Sequence, residues 1–330
     1  RWQLTRQGRR GWLRLKGDVT SAAEARELAE QLWLKCEQLQ ADLPSITSSR
    51  SPTQLANGNP DLWKQRYSRA VERGIELVNG GELHKLVLAV RHTIDLDNRF
   101  NPLPLLQRLR RQQAGSCRFL WQREADDVFF GASPERLLSL RGGWLRSDAL
   151  AGTAGEGDDG MQLLRSDKDR REHELVVDTL TNQLRQMGLT PCRRRQPQLA
   201  RHGQLTHLHT PITAEVQGRS ALSLAEQLHP TPAVAGLPRR EAMAWLRTLE
   251  PFERGSYAAP IGWIDSAGDA ELRVAIRCGH ARGRHLDLTA GAGLVRGSIA
   301  ERERQEVELK LAVLADQLEL QTSERNRSIV

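Results

Sequence analysis

The chain has 330 residues, of which 39% are hydrophobic and 27% are charged, which excludes an intrinsically disordered protein and allows a substantial core. Its formal net charge of +7 suits an enzyme that acts on small anions, and it leaves a basic nucleic-acid-binding protein open as a different class. The basic runs at 108–111 and 193–195 are short and have few aromatic neighbours, so we expect no nucleic-acid partner.

The first sixty residues are predicted to form a short amino-terminal segment that packs on the core. An alternation of Trp and Leu over residues 1–18 predicts a strand, and the apolar spacing after Ser21 predicts a helix that ends at about Gln40. Residues 43–60 are rich in Ser, Pro, Asn and Gly, which is typical of a linker. Residues 61–330 are predicted to form one larger domain.

This larger domain begins with a helix, capped by Asp61, that ends at the turn Asn79-Gly80-Gly81. The apolar run at 83–90 predicts a buried strand. The next predicted elements are strands at 117–121, 128–130, 137–140 and 143–146, and a glycine-rich loop at 152–160.

A long helix is predicted from about Met161 to Gln186. The remaining predicted elements are a strand at 212–216, helices at 223–228 and 239–248, strands at 261–264, 272–277 and 286–290, and a helix at 300–320. The strands occur in hairpin-like groups rather than in strict βαβ alternation. This pattern predicts an α+β fold with large, mainly antiparallel sheets.

The cysteines are scattered and form no CxxC pair, so we expect neither a disulfide framework nor a zinc site; they are Cys36, Cys117, Cys192 and Cys278. No apolar stretch approaches the length of a membrane span, and no signal peptide is evident. We therefore expect a cytoplasmic protein without a membrane partner. The chain begins with Arg1 rather than Met, so we expect a missing or processed amino terminus, and loss of a transit segment stays open.

A lysine lies in the apolar run at 83–90. Alternation places Lys85 on the same face as Val87 and Ala89, with Arg91 next on that face. Burial would disfavour the charged form and lower the pKa of Lys85 toward the range of a general base. The alternative is an edge strand whose lysine prevents sheet-to-sheet association.

Three carboxylates have ordinary explanations when they are taken singly. Glu135 lies in a tight turn between strands and can be a surface residue. Glu172 can pair with Lys168, and Glu306 with Lys310, as exposed pairs one helical turn apart. If Glu172 and Glu306 converge from their separate helices, they suit a hard cation such as Mg²⁺, which binds one or two carboxylates and keeps water ligands.

Other polar positions suit an anionic ligand. Arg277 ends a predicted strand and can bind a carboxylate at two points. Gly291 and Gly293 follow a strand, where glycine permits close backbone approach and free N–H groups can hold an anion. His229 can donate a hydrogen bond or be protonated, although a lone histidine is more often structural.

A series of motifs occurs in order between Asp61 and Gln317. They are 85–89 (KLVLA), 131–137 (GASPERL), 149–153 (ALAGT), 168–177, 228–236 (LHPTPAVAG), 254–263 (RGSYAAPIGW), 274–277 (VAIR), 290–293 (AGAG) and 305–310. Together they resemble the chorismate-utilising enzymes, which include isochorismate, salicylate, anthranilate and aminodeoxychorismate synthases. The resemblance implies one α+β domain whose sheets pack face to face with helices outside, and it makes residues 61–330 a chorismate-binding catalytic domain.

The resemblance also implies roles for individual residues. Lys85 matches the base that activates water, and Glu135 matches the general acid. Glu172 and Glu306 match the Mg²⁺ ligands, and Glu303 is a further carboxylate beside them. The positions that match substrate contacts are Gly152, Thr153, His229, Ala233, Tyr257, Arg277, Gly291 and Lys310.

The likeness is greatest to isochorismate synthase. Ala151 stands where enzymes of this family that use a covalent amine carry a lysine, and Lys85 favours water over ammonia as the nucleophile. We therefore expect an Mg²⁺-dependent isomerase that converts chorismate to isochorismate, in quinone or siderophore biosynthesis, as a monomer without an amidotransferase partner. A salicylate synthase and an anthranilate synthase component I are the alternatives.

Overall fold

The computed structural model describes residues 2–7, 10–41, 55–56, 62–96, 98–158 and 160–318. The chain divides into two compact units, residues 1–51 and 52–330. The predicted linker, apart from Leu55–Ala56, lies outside the described residues. So do the predicted cap Asp61 and the predicted domain boundary at residues 60 and 61.

The smaller unit contains a hairpin and a helix. Strands β1 (Trp2–Gln7) and β2 (Arg10–Leu15) pair antiparallel, so the region predicted as one strand forms two. Helix α1 (Ala22–Ala41) confirms the predicted helix. Its first turn is closed by Glu24, whose carboxylate accepts hydrogen bonds from the backbone N–H and the hydroxyl of Thr20.

The larger unit alternates groups of antiparallel strands with helices. In chain order its elements are β3 (Leu55–Ala56), α2 (Leu62–Asn79), β4 (Lys85–Leu96), α3 (Pro102–Gln112), β5 (Cys117–Glu124), β6 (Asp127–Ser133), β7 (Arg136–Arg141), β8 (Trp144–Ala154), α4 (Met161–Arg165), α5 (Asp167–Gln186), β9 (Cys192–Arg193), β10 (Gln198–His202), β11 (Leu205–Glu215), α6 (Ala221–Leu228), β12 (Gly236–Leu237), α7 (Arg239–Leu249), β13 (Pro260–Ile264), β14 (Ala270–Val274), β15 (Cys278–Arg282), β16 (His285–Val295) and α8 (Ala300–Ala315). None of the described helices is both long and apolar enough to span a membrane.

These strands form two large sheets in which every described pairing is antiparallel. Sheet A has the order β12-β4-β16-β15-β6-β5, with β3 also paired to β4. Sheet B has the order β10-β11-β8-β7-β14-β13, with β9 also paired to β11. The predicted α+β class with large antiparallel sheets is confirmed.

The alternation of side chains in β4 separates two hydrophobic cores. Leu86 and Leu88 point into a core shared with α2, α7 and α8, and each contributes about 1.5–3 kcal/mol by burial. Ala89 points into the second core, which combines side chains of both sheets with those of α5 and α6. The two sheets therefore pack on each other through the second core, and Lys85 lies on the β4 face that carries Ala89.

Two sequence predictions differ from the structure beside this second core. The helix predicted over 161–186 is two helices, because Ser166 adopts an extended conformation and its hydroxyl accepts a hydrogen bond from the Asp169 N–H at 3.2 Å. The predicted glycine-rich loop at 152–160 is shorter, since β8 continues through Ala154, which pairs with Thr206 of β11 beyond a shift in register.

Arg277 is also placed differently. The predicted strand 272–277 ends at Val274, and a new strand, β15, begins at Cys278. Between them Arg277 has a φ of 49°. This left-handed conformation is unfavourable for a side chain with a Cβ atom, and it turns the chain from sheet B to sheet A.

Candidate active site

A cavity lies where the two sheets meet, lined by β4 and β16 of sheet A, by β8 and β11 of sheet B, and by α5 and α8. Nearly all of the sequence-predicted site residues line it: Lys85, Glu135, Gly152, Thr153, Glu172, Ala233, Tyr257, Arg277, Gly291, Glu306 and Lys310.

His229 is the exception. It follows α6 and lines a separate surface cleft with Arg239 and Trp263. Burial and the nearby Arg239 guanidinium lower the pKa of His229 to about 4, so the ring is neutral near pH 7. Because His229 does not line the cavity between the sheets, its position does not support the predicted contact with substrate.

Lys85 lies at the start of β4 and is 1% exposed. Its Nζ is 3.0 Å from Oε1 of Glu172, which α5 presents on its buried face together with Val176 and Leu180. Burial alone would raise the pKa of Glu172, but Lys85 and Lys168 outweigh that effect and hold the pKa at about 2. An edge strand with an exposed lysine is thereby excluded.

This ion pair requires a glycine on the neighbouring strand. A Cβ atom at Gly293 would lie 2.3 Å from Oε1 of Glu172 and 3.0 Å from Cε of Lys85. The first distance is shorter than packed atoms permit and the second is tight, so an alanine here must displace the ends of the Glu172 and Lys85 side chains.

We expect Gly293→Ala to lower the free energy of unfolding by about 1–3 kcal/mol through this overlap. We also expect it to lower catalytic activity more than tenfold, because the displaced groups are Lys85 and Glu172. Urea unfolding and steady-state kinetics measure the two effects. Native activity in a correctly folded variant would show that the close approach of Lys85 and Glu172 is dispensable.

Glu135 is positioned by the turn between β6 and β7. Ser133 organises this turn, since its hydroxyl accepts from the Glu135 N–H at 3.2 Å and donates to the Val274 carbonyl at 2.6 Å. Thr231 donates to Oε1 of Glu135 at 3.2 Å. Burial is the dominant influence and raises the pKa of Glu135 to about 7, so a large part of this carboxyl group is protonated near neutral pH.

Helix α8 brings a further carboxylate, Glu306, and the amine of Lys310 to the cavity. On α8, Glu303, Glu306 and Lys310 are spaced three and four residues apart and share one face. Lys310 donates to Oε1 of Glu306 at 2.7 Å and to the Gly291 carbonyl at 2.8 Å. Thr153 of β8 donates to the same Glu306 oxygen at 3.2 Å, which ties sheet B to α8.

The donor set fits a hard divalent cation. Among the described residues, no three His, Cys, Asp or Glu side chains are grouped in a way that would hold a metal ion. Mg²⁺ needs fewer protein ligands, because it binds through one or two carboxylates and keeps several water ligands. Glu172 and Glu306 supply such oxygens, and nearby Oε2 of Glu303 is buried without a hydrogen-bond partner among the described residues.

His207 is a cavity residue that the sequence analysis did not identify. Its Nδ1 lies 2.7 Å from the Gly152 carbonyl, which can only accept, so Nδ1 carries the proton. The unprotonated Nε2 then accepts from Nη2 of Arg277. Burial and the Arg277 charge hold the pKa of His207 well below its usual value, so the ring stays neutral. The sequence feature that could have indicated His207 is its position in β11, where buried and less buried residues alternate.

Arg277 is prepared to bind an anion. It is 4% exposed, and burial lowers its pKa to about 10, which leaves it charged at neutral pH. One guanidinium nitrogen is held by His207, while Nη1 is buried with no hydrogen-bond partner among the described residues. A buried charged donor of this kind pairs well with a carboxylate.

Two backbone amides of β16 add to this anion-binding character. The N–H groups of Val87 and Ala89 bond outside the β4–β16 ladder. These residues lie opposite Gly293 and Gly291 of β16, respectively. When one residue of such an antiparallel pair points its N–H and C=O groups away from the partner strand, the other does so as well. The N–H groups of both glycines therefore point away from β4. Strand β15 pairs with β16 only as far as Thr289, so the outward side of both glycines is free of that strand.

Comparison with known proteins gives the class of this chain. A family model described as chorismate binding enzyme matches residues 1–319, so the chain belongs to the chorismate binding enzyme family. This confirms the resemblance drawn from the sequence motifs.

Several named relatives are isochorismate synthases. The salicylate biosynthesis isochorismate synthase of Pseudomonas aeruginosa is 36% identical over 284 residues, covering 83% of this chain and 59% of that protein. The isochorismate synthase MenF of Bacillus subtilis is 36% identical over 259 residues, covering 76% of this chain and 55% of that protein. The chain thus spans less than two thirds of the length of these relatives.

Solved structures show the same fold. The menaquinone-specific isochorismate synthase MenF of Escherichia coli superimposes with a TM-score of 0.74 at 31% identity, covering 88% of this chain and 69% of that one. Anthranilate synthase component I of Streptococcus pneumoniae gives a TM-score of 0.77 at 24% identity, covering 92% of this chain and 69% of that one. The second likeness concerns the fold alone.

Proposed function

We propose that the protein is an isochorismate synthase that converts chorismate reversibly to isochorismate. The observation that carries the proposal is one cavity that holds both a buried lysine, Lys85, and a carboxyl group with a raised pKa, Glu135. Such a pair supplies a base and an acid, which the exchange of one hydroxyl group for another requires. The names of the relatives support the same reaction.

In this proposal Lys85, in its neutral form, takes a proton from the water that attacks C2 of the substrate ring. Glu135, in its protonated form, donates its proton to the hydroxyl group that leaves C4, and the ring double bonds shift between the two positions. Since Lys85 is paired with Glu172, it must lose a proton before it can act as the base. One hydroxyl group replaces another, so the free energy change is small and the reaction runs in both directions.

The positively charged and polar side of the cavity would bind the dianionic substrate. Arg277 would bind one carboxylate through its unpartnered Nη1, with the Gly291 and Gly293 amides beside it. Glu172 and Glu306 would hold Mg²⁺, which when bound neutralises and orients the other carboxylate. Gly152, Thr153, Ala233, Tyr257 and Lys310 complete the walls against which the ring would lie.

The choice of water as nucleophile is supported by two positions. Ala151 lines the cavity and offers no amine to attack the ring. Lys85 is the buried base that water needs. We therefore propose that the chain works without an amidotransferase partner.

The test is to incubate the purified chain with chorismate and Mg²⁺ and to identify the products by chromatography and NMR. We expect isochorismate, without pyruvate and without any need for ammonia. Pyruvate release would indicate a salicylate synthase, and an ammonia-dependent fluorescent product would indicate an anthranilate synthase. Absence of turnover together with steeply salt-dependent binding to DNA would overturn the proposal.

A further inference from the structure

The carboxylate cluster beside Lys85 contains a cation that the proposed reaction does not use. Lys168 of α5 lies 3.0 Å from Oε1 of Glu303 and 3.3 Å from Oε2 of Glu172, with Oδ1 of Asp169 at 4.0 Å. Its side chain is about three quarters buried. An ammonium that bridges two buried carboxylates from different helices differs from an exposed pair one turn apart, which was the sequence-based explanation of Lys168.

Each of the three carboxylates Glu172, Glu303 and Glu306 pairs with a different lysine. Glu172 pairs with Lys85 at 3.0 Å, Glu303 pairs with Lys168 at 3.0 Å, and Glu306 pairs with Lys310 at 2.7 Å. When all of these groups are ionised, the three pairs sum to zero, and Asp169 at 4.0 Å from Lys168 adds one negative charge. A divalent cation that enters here therefore meets three carboxylates that are already paired rather than three free ones.

Lys168 and a divalent cation would use the same oxygens. Glu172 already accepts from Lys85 through Oε1 and from Lys168 through Oε2. A cation bound to Glu172 must share this carboxylate with both lysines, and its double charge repels them. In contrast, Oε2 of Glu303 has no hydrogen-bond partner among the described residues, so this carboxylate retains an oxygen that can interact with an incoming cation or its water ligands.

We propose that Lys168 is a positioning residue that competes with the divalent cation, and that it keeps Mg²⁺ affinity low until an anionic substrate adds negative charge to the site. This inference rests on the proposed function. A cluster whose carboxylates are already paired with lysines accepts Mg²⁺ and a dianion most favourably together, because the two ligands add no net charge. Each would then increase the affinity for the other by the same factor.

The test is a calorimetric titration of the full chain with Mg²⁺ at pH 8 without chorismate. Burial and the neighbouring carboxylates raise the pKa of Glu303 to about 7, so pH 8 keeps it mostly ionised. We expect Lys168→Met to bind Mg²⁺ at least roughly tenfold more tightly than the native chain, because one positive charge has left the site. Arg170→Met, which removes an equal charge from an exposed position two residues away, should bind like the native chain.

A second variant gives the opposite sign. Glu303→Gln removes a negative charge, keeps the shape of the side chain, and should weaken Mg²⁺ binding at least roughly tenfold. A purely structural role for Lys168 predicts weaker binding in both variants. The inference is overturned if Lys168→Met binds Mg²⁺ with weaker or unchanged affinity. If that variant does not fold, unchanged Mg²⁺ affinity in Glu303→Gln overturns it.

Two further readouts complete the experiment. The melting temperature of Lys168→Met without Mg²⁺ should fall below that of Arg170→Met, and millimolar Mg²⁺ should restore it, because Mg²⁺ replaces the missing charge. A native chain that binds no Mg²⁺ even with chorismate present would instead count against the metal ligands in the proposed function. The two failures are therefore distinguishable.

Discussion

Replacing Lys85 by alanine is expected to lower the turnover of chorismate by about 10²–10⁴-fold, the contribution of a single positioned base. Lys85 is the base in the proposed reaction, and its ammonium is held within 3.0 Å of Glu172. Binding of chorismate in the presence of Mg²⁺ should be largely retained, because Arg277, Glu172 and Glu306 remain. Rapid-quench kinetics and equilibrium binding measure the two effects separately.

The control for this prediction is Lys85→Met, which keeps the length of the buried side chain and removes only the amine. Alanine would also leave a void, and a void alone destabilises a core. If the loss is chemical, both variants lose activity equally although alanine is the less stable of the two. Unchanged turnover in either variant would remove Lys85 from the mechanism.

Replacing Glu135 by glutamine is expected to lower turnover by a similar factor, about 10²–10⁴-fold, because the amide keeps the shape but has no acidic proton to give. The pH profile gives an independent check. Burial raises the pKa of Glu135 to about 7, so the protonated acid is present below that pH and is lost above it. Native turnover should therefore fall as the pH rises above about 7.

Although Glu135→Gln should lower turnover, it should raise the free energy of unfolding at high pH. The ordinary pKa of this carboxyl group is 4.5 and its pKa in the folded chain is about 7, so the folded state binds the proton more tightly. The contribution of Glu135 to folding is fully present below about pH 4.5 and is lost as the pH rises through 7. Glu135→Gln should thus be more stable than the native chain at pH 8. A native chain that is the more stable of the two at pH 8 would contradict the buried, protonated carboxyl.

The sequence predicts the site well where a residue's position follows from one regular element. Alternation in β4 places Lys85 on the face of Ala89, and the structure has it there. Spacing along α8 places Glu306 and Lys310 one turn apart, and they are paired. Periodicity alone, however, could not decide whether these faces are buried, because that depends on how the two sheets and the helices pack.

The features that the sequence did not predict depend on local backbone and side-chain geometry, which hydrophobic periodicity does not encode. Ser166 interrupts a helical pattern because its hydroxyl can cap α5, and the apolar spacing on either side conceals the break. Arg277 was predicted at a strand end, but a left-handed backbone carries it between sheets. His207 becomes significant only because the Gly152 carbonyl and the Arg277 guanidinium meet its two ring nitrogens.

The register that joins β4 to β16, from Lys85 opposite Val295 to Asp95 opposite His285, has a consequence for changes in chain length. Deleting one residue at the start of either strand would shift the alternation by one position, turning Lys85 toward the leucine-rich core or moving Gly293 away from Glu172. The strands could still pair, but Lys85 and Glu172 would no longer be held together, and the proposed reaction would be lost. Insertions and deletions should therefore be accepted at exposed turns such as Gly142–Gly143 and be absent from these two strands in any active descendant of the chain.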